Sequence, residues 1–187
     1  MRECLTKIDM SSSHLLDLIN EILDMSKIEK GKIELTEEPF CLRELITDIN
    51  SITRPEALQK GQELLFRTVD VVHTDFIGDA GRIRQVLINL ITNAVKYTQN
   101  GGRIIVEVQE VTGRTPGAAS FVFTVEDNGI GMDPDFLNYI FVPFSRADDS
   151  KVRRVQGTGL GMSIAQGIVS AMNGNIQAES RKGQGSR

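Results

Sequence analysis

Asn89-Leu90-Ile91-Thr92-Asn93-Ala94-Val95-Lys96-Tyr97-Thr98 is a stretch in which a polar face runs along a helix otherwise composed for burial. At about 100° per residue, Arg82, Gln85, Asn89, Asn93 and Lys96 fall on one narrow arc, with Ile83, Val86, Leu87, Leu90 and Ala94 roughly opposite. The spacing predicts a helix with a core side and a site side. Asn89 and Asn93 stack one turn apart, and Lys96 and Tyr97 continue the face. Amide oxygens suit a hard cation whose charge is mostly balanced by phosphates, lysine supplies a positive point charge, and tyrosine offers a flat surface to a ring. The periodicity alone is equally that of a surface helix with solvated asparagines, so the decision rests on the rest of the chain.

The 187 residues suffice for one domain with a full core plus an appendage. A composition 40% hydrophobic and 25% charged is ordinary for a soluble globular protein. The net charge of −4 gives no general attraction to nucleic acid or anionic membrane, so no nucleic-acid partner is expected and any anion must be held by a local cluster. Cys4 and Cys41 have no metal spacing and are too few for a disulfide framework, while His14 and His73 stand far apart without a cysteine pair. Zinc is therefore not expected, and a reducing, cytoplasmic setting is. No run approaches about 18 apolar residues and no signal peptide opens the chain, although a longer parent could still be anchored in a membrane.

Residues 2–30 are helical in pattern, with Leu5, Ile8, Leu15, Ile19, Ile22 and Leu23 forming an apolar stripe and Asp9, Asp17, Glu21 and Asp24 largely off it. Partner helices, from another subunit or from preceding sequence, are the preferred cover for this stripe, and the following domain is the alternative. Gly31 ends the helix. Residues 32–36 read as a short strand, Pro39 breaks the run, 41–58 return to a helical period, and 63–72 and 75–77 read as strands. Asp79 is placed to cap the asparagine helix. Residues 103–111 and 120–126, joined by a polar turn with no helix between, predict an antiparallel pair. Residues 175–179 read as a further strand, and Gly183-Gln184-Gly185-Ser186-Arg187 as a turn toward a strand beyond the last residue. The fold class is α+β: a two-layer sandwich of a mixed, largely antiparallel sheet with helices on one face, preceded by one long amphipathic helix.

Four further motifs follow. In Asp127-Asn128-Gly129-Ile130-Gly131-Met132, a strand ends on an acceptor-only carboxylate followed by two glycines that permit close ligand approach. Asp127 could take the exocyclic amine of adenine, or simply bond its own backbone in a turn. Asp133 and Pro134 begin a short helix running to about residue 140, after which Phe141-Val142-Pro143-Phe144 is an aromatic patch that either latches a loop or fills core. Residues 145–156, with Arg146, Lys151, Arg153 and Arg154 against Asp148 and Asp149, read as a basic lid or a solvated loop. Gly157-Thr158-Gly159-Leu160-Gly161-Met162-Ser163-Ile164 passes straight into a helix to about residue 172, and backbone amides at such a start cradle anions. A dinucleotide-binding loop fits less well, because the third glycine falls at Gly161 rather than one residue later and no clear apolar strand precedes it. A Walker loop is excluded by the absence of Gly-Lys-Ser/Thr.

The order N-x-x-x-N-A-x-K-Y, D-N-G-I-G-M, F-x-P-F, G-T-G-L-G-M-S-I resembles the N, G1, F and G2 boxes of the catalytic, ATP-binding domain of bacterial sensor histidine kinases, over residues 31–187. The resemblance implies an α/β sandwich that binds Mg-ATP through Asn89, Asn93, Lys96, Tyr97, Asp127, Gly129, Gly131, Met132, Phe144, Arg146, Gly157, Thr158, Gly159, Leu160 and Gly161. It places Mg²⁺ on Asn93 with Asn89 in support, phosphate on Lys96, the adenine amine on Asp127, and a glycine-rich lid around the phosphates. Residues 1–30 resemble the second helix of the dimerisation and phosphoacceptor domain, which implies a homodimer in the parent protein and a response-regulator receiver domain as partner. The helix that carries the family's phosphorylated histidine, in an H-E/D-x-x-T-P setting, is absent. His14 is followed by Leu15 and Leu16, so the acceptor role is not carried onto it, nor onto His73.

The implied activity is phosphoryl donation from ATP to a histidine outside this chain, with no self-phosphorylation. Hydrolases of the gyrase, chaperone and mismatch-repair type share the resembled fold but place a glutamate where Asn89 stands, and an amide cannot accept water's proton. A degenerate pocket serving only as an interaction module is the remaining alternative, disfavoured because all four boxes hold chemically suitable residues.

Overall fold

The computed structural model describes residues 2–111, 113, 119–146 and 157–187, the side chains of 2–11, 13, 14 and 17 excepted. The lid residues 147–156 named above lie outside this description.

Helix α1 (Arg2–Glu29) is closed by Gly31, which takes φ +61°, its amide bonding to the Ile28 carbonyl at 2.9 Å and that of Lys32 to Lys27 at 2.8 Å. These are the paired bonds of a Schellman ending. The strand expected at 32–36 is not formed; it lies later, as β1 (Glu38–Cys41), paired antiparallel with β3 (Asp75–Gly78). Pro39 stands opposite Ile77 in this two-stranded sheet, where a missing N–H is tolerated because each strand has a free edge. Ile33, which gave 32–36 its strand-like alternation, instead packs into a core beside α1.

Helix α2 (Leu42–Gln59) buries Leu42, Leu45, Ile49, Thr53 and Ala57 along one face. Strand β2 (Glu63–Val69) stops short of the expected residue 72, where Asp70 turns left-handed at φ +51°. Helix α3 (Ala80–Tyr97) carries the asparagine stretch, and the Asp79 carboxylate caps it by accepting from the Arg82 amide at 2.9 Å. Strands β4 (Arg103–Val111) and β5 (Ser120–Asp127) pair antiparallel as expected. A short α4 (Pro134–Leu137), α5 (Gly161–Ala171) and the two-residue strands β6 (Ser180–Arg181) and β7 (Gly185–Ser186) complete the chain.

The main sheet runs β2-β4-β5-β7-β6, parallel between β2 and β4 and antiparallel elsewhere. The expected mixed, largely antiparallel sheet is thus formed, but residues 175–179 are not a strand in it. The place beside the end of β5 goes to β7, and Glu179 meets only Arg187, exchanging both backbone bonds at 2.8 and 2.7 Å.

Two cores flank α3. Leu87, Ile91, Ala94 and Val95 pack with α2 against Ile104, Val106 and Val108 of β4. Val86 and Leu90 pack instead with Leu160, Ile164, Ala165 and Ile168 around α5, joined by Met25 and Ile28 of α1. The described members of the α1 stripe, Leu15, Ile19, Ile22 and Leu23, are 45–58% exposed, so the following domain does not cover them; it packs instead on Met25 and Ile28, beyond the stripe. No helix among the described residues is long and apolar enough to cross a membrane.

Candidate functional site

The polar arc of α3 ends in an open cavity of about 1720 Å³. Asn89, Asn93, Lys96 and Tyr97 line it, facing Asp127, Gly129, Gly131 and Met132 from the loop after β5, Arg146, and Gly157, Thr158, Gly159 and Gly161 from the loop before α5. Three of the four boxes, spread from Asn89 to Gly161 in sequence, thus meet around one space, and the fourth, Phe141-Val142-Pro143-Phe144, does not line it.

The wall is held from behind. The last carbonyls of α3, which lack intrahelical partners, are taken by the turn between α2 and β2: Lys60 Nζ donates to Val95 at 2.7 Å, and Gln62 Nε2 donates to Val95 and Thr98 at 3.1 and 2.7 Å. This fixes the end of the helix on which Lys96 and Tyr97 stand. The Ile130 amide donates to the Tyr97 carbonyl at 3.1 Å, and a Cβ at Gly129 would fall 2.5 Å from that same oxygen. Glycine is required there because the loop backbone lies against the helix end. On the other side, Asn89 Nδ2 donates to the Gly161 carbonyl at 3.2 Å, leaving its amide oxygen available.

Asp127 combines its two sequence readings. Its Oδ1 accepts from the Gly129 amide at 2.8 Å, the backbone turn, while the carboxylate also lines the cavity. Burial holds its pKa above the ordinary 3.8, opposed by the amides of Gly129 and Ser186. Burial likewise raises the Tyr97 hydroxyl, and the Arg146 charge opposes the rise, so Arg146 acts at the same end of the cavity.

Two residues named from sequence are not brought to the cavity. Leu160 is 1% exposed and fills the α5 core, because an apolar side chain in the glycine run finds a hydrophobic seat beside Val86. Phe144 is 69% exposed at φ +62°, its amide donating to the Gly159 carbonyl at 3.0 Å, so it ties the two loops through backbone while its ring faces outward. His73 does not enter the wall: its Nδ1 meets Glu110 Oε1 at 2.6 Å, in a clamp between the β2–β3 connection and β4.

Sequence reasoning missed Leu18 and Glu21 of α1, which also line the cavity. Thr158 Oγ1 donates to Glu21 Oε2 at 2.7 Å across 137 residues. The only sequence signal was that Glu21 and Asp24 lay off the apolar stripe. Ser180 and Ser186 of the terminal hairpin were missed as well, since two-residue strands carry no period.

This geometry is that of a nucleotide-binding domain in which a helix face, a carboxylate-bearing turn and a glycine loop enclose one ligand. Residues 78–187 match the family described as "Histidine kinase-, DNA gyrase B-, and HSP90-like ATPase". The chain belongs to this family, as a catalytic ATP-binding domain of the histidine-kinase type. It is 41% identical over 185 residues to the sensory/regulatory protein RpfC of Xanthomonas campestris pv. campestris, an alignment covering 99% of this chain and 25% of RpfC. The chain therefore spans about a quarter of the length of that curated relative. Among solved structures, full-length ShkA in complex with AMPPNP superposes with a TM-score of 0.78 at 30% identity, over 99% of this chain and 37% of ShkA. The histidine kinase ThkA in complex with the response regulator protein TrrA gives 0.66 at 25% identity, over 96% and 48%.

Proposed function

We propose that this chain binds Mg-ATP in the cavity and donates the γ-phosphoryl group to a histidine carried on another helix, for onward transfer to a response-regulator aspartate. The observation that carries this reading is the convergence of Asn89, Asn93, Lys96 and Tyr97 with Asp127 and the 157–161 loop on one space. Asp127 accepts from the adenine amine, Tyr97 lies against the base, and Lys96 and the backbone amides of the glycine loop and α5 start meet the phosphates.

The residues fit a magnesium ion. Asn89 spends its amide hydrogen on Gly161 and Asn93 has no side-chain hydrogen bond among the described residues, so both amide oxygens are available to a hard cation shared with phosphates. When bound, the ion neutralises phosphate charge; the chain's own contribution is to orient the nucleotide and shield it from water. An amide at position 89 cannot serve as general base toward water, which favours transfer over hydrolysis.

Residues 1–30 are then part of a dimerisation and phosphoacceptor region and 31–187 the catalytic domain. The exposed residues Leu15, Ile19 and Ile22 support homodimerisation in the parent protein. The lack of a nucleophile in the family's setting means this chain alone does not phosphorylate itself; radiolabel appearing on His14 or His73 would contradict that. A cytoplasmic location, with the parent free to be held at a membrane by other segments, fits the same assignment.

The test is calorimetric titration of Mg-ATP into the wild type and Asp127→Asn. Removing the charged acceptor is expected to weaken binding by about 1–3 kcal/mol while the thermal midpoint does not fall. Fast phosphate release without any acceptor would instead favour a hydrolase, and no binding by the folded wild type would leave an interaction module.

A further inference from the structure

Gln62 and Thr98 are 4% and 3% exposed, and each holds a side-chain oxygen, Oε1 and Oγ1, with no hydrogen-bond partner among the described residues. Every other buried side-chain nitrogen or oxygen among those residues is bonded. Folded proteins leave few such groups, because a desolvated polar atom without a partner costs the fold. The two exceptions meet at one point of the chain. Gln62 Nε2 donates to the carbonyls of Val95 and Thr98 at 3.1 and 2.7 Å and lies 3.4 Å from that of Gln99. Carbonyls only accept, so the amide nitrogen must face them, and Oε1 points away from them as an acceptor with nothing to accept.

The segments that carry these atoms are tied together by backbone. Thr98 closes α3 in an extended conformation, its amide donating to Ala94 at 2.9 Å. The Gly101 amide donates to the Lys60 carbonyl at 3.0 Å, that of Glu63 to Gly102 at 2.8 Å, and that of Gly102 to Gln99 at 3.0 Å. A Cβ on Gly102 would fall 2.3 Å from Thr98 Cγ2, so the turn lies against the threonine methyl and holds the side chain where it is. Lys96, Tyr97 and Gln99 line the cavity, whereas Gln62 and Thr98 do not. The two oxygens therefore lie behind the wall, apart from the site already described.

The chemistry of the place decides what it takes. An anion would face the Gln62 oxygen and the carbonyls of Val95, Thr98 and Gln99, acceptors all. A cation would meet the Lys60 ammonium, which donates to the same Val95 carbonyl as Gln62, at 2.7 Å. What remains is a small neutral molecule with hydrogens to give and lone pairs to receive, and in a closed protein interior that is water. We propose that one internal water bridges Gln62 Oε1 and Thr98 Oγ1 behind the C-terminus of α3. It gives one hydrogen to the glutamine oxygen and accepts that of the threonine, completing the cap of the helix end on which Lys96 and Tyr97 stand. This inference does not depend on the nucleotide reading.

The experiment joins crystallography at a resolution that shows ordered water with denaturant unfolding, on the full chain as wild type, Thr98→Val and Thr98→Ser. The wild-type map is expected to show one water within hydrogen-bond distance of both oxygens, and Thr98→Ser, which keeps the hydroxyl, retains it. Thr98→Val keeps the shape and removes the hydroxyl, so its unfolding equilibrium constant rises by roughly 5- to 10-fold, the worth of one hydrogen bond. The sign is decisive, because a hydroxyl that truly lacked a partner would be better replaced by a methyl. A Thr98→Val protein more stable than the wild type therefore overturns the proposal. So does a wild-type map in which Thr98 Oγ1 bonds Gln62 Oε1 directly with no water between them. If Thr98→Val does not fold, the wild-type and Thr98→Ser maps decide alone: a water on both oxygens upholds the bridge, and its absence from either map overturns it.

Discussion

The two halves of the α3 polar arc are chemically alike in sequence and opposite in structure. In the first half, Arg82 Nη1 and Gln85 Nε2 donate to the two oxygens of Asp24 at 3.1 and 2.7 Å, and Arg82 also reaches Gln85 Oε1 at 2.7 Å. In the second, Asn89 and Asn93 keep amide oxygens toward open space. The difference lies in what arrives from elsewhere: a carboxylate of α1 closes one half, and nothing among the described residues closes the other. A polar stripe on a buried helix therefore marks either a docking seam or a ligand site, and here one helix provides both within three turns.

The sharpest way to break this contrast is to cross the two halves. Asp24→Asn leaves the Arg82 guanidinium short of its charge partner in a contact whose side chains are only 20% and 16% exposed. It is expected to lower stability by about 1–3 kcal/mol in denaturant unfolding, with the Mg-ATP dissociation constant of the folded protein unchanged. Asn93→Ala is expected to do the reverse, weakening Mg-ATP with no loss in unfolding midpoint. Equal effects of both variants on both readouts would mean that the halves are one unit.

A smaller effect sits at the seam. Glu21 reaches over from α1 to Thr158 in the glycine loop and so places a carboxylate on the cavity wall where phosphates are to be held. Glu21→Gln keeps the hydrogen-bond acceptor and removes the charge. Mg-ATP should bind a few-fold more tightly, on the order of 0.5–1 kcal/mol for a partly screened charge, while adenosine, lacking phosphates, should be unaffected. A matching gain for adenosine would assign the change to α1 packing instead of charge.

How far the sequence anticipated this molecule follows the range of the interactions involved. The α3 arc, the Asp79 cap and the β4–β5 pair were legible because periodicity, capping and short turns are written within a few residues. Strand placement at Glu38–Cys41 and the absence of a strand at 175–179 were not, because each depends on which neighbour occupies a sheet edge. Of the residues named for the site, those anchored by side-chain chemistry lie on the cavity. Leu160 does not, because nothing local distinguishes an apolar residue that packs under a glycine loop from one that lines it. Asp24 and Glu21 could not be assigned partners, since those partners lie 58 and 137 residues away.

The smallest expected effects separate two carboxylates by the sign of their pH dependence. Glu110 accepts from the amides of Val72 and His73 at 2.7 and 3.0 Å and meets the His73 ring, which lowers its pKa from 4.5 to about 2. Its contribution to stability is fully present above the unfolded value of 4.5 and is lost as pH falls toward about 2. Asp127 has the opposite shift, its folded pKa lying above 3.8 because of burial. The unfolded chain ionises it more readily, so its charge disfavours the fold at neutral pH, and this penalty disappears as pH falls through the raised value. Glu110→Gln should therefore flatten the acid limb of the unfolding midpoint without touching nucleotide affinity. Asp127→Asn should leave the neutral-pH midpoint equal or higher, and should abolish the loss of Mg-ATP affinity that begins in the wild type as Asp127 protonates. A wild-type affinity that stays constant through the range in which Asp127 takes up its proton would detach that carboxylate from the base, and with it the assignment of the open half of α3 to a nucleotide.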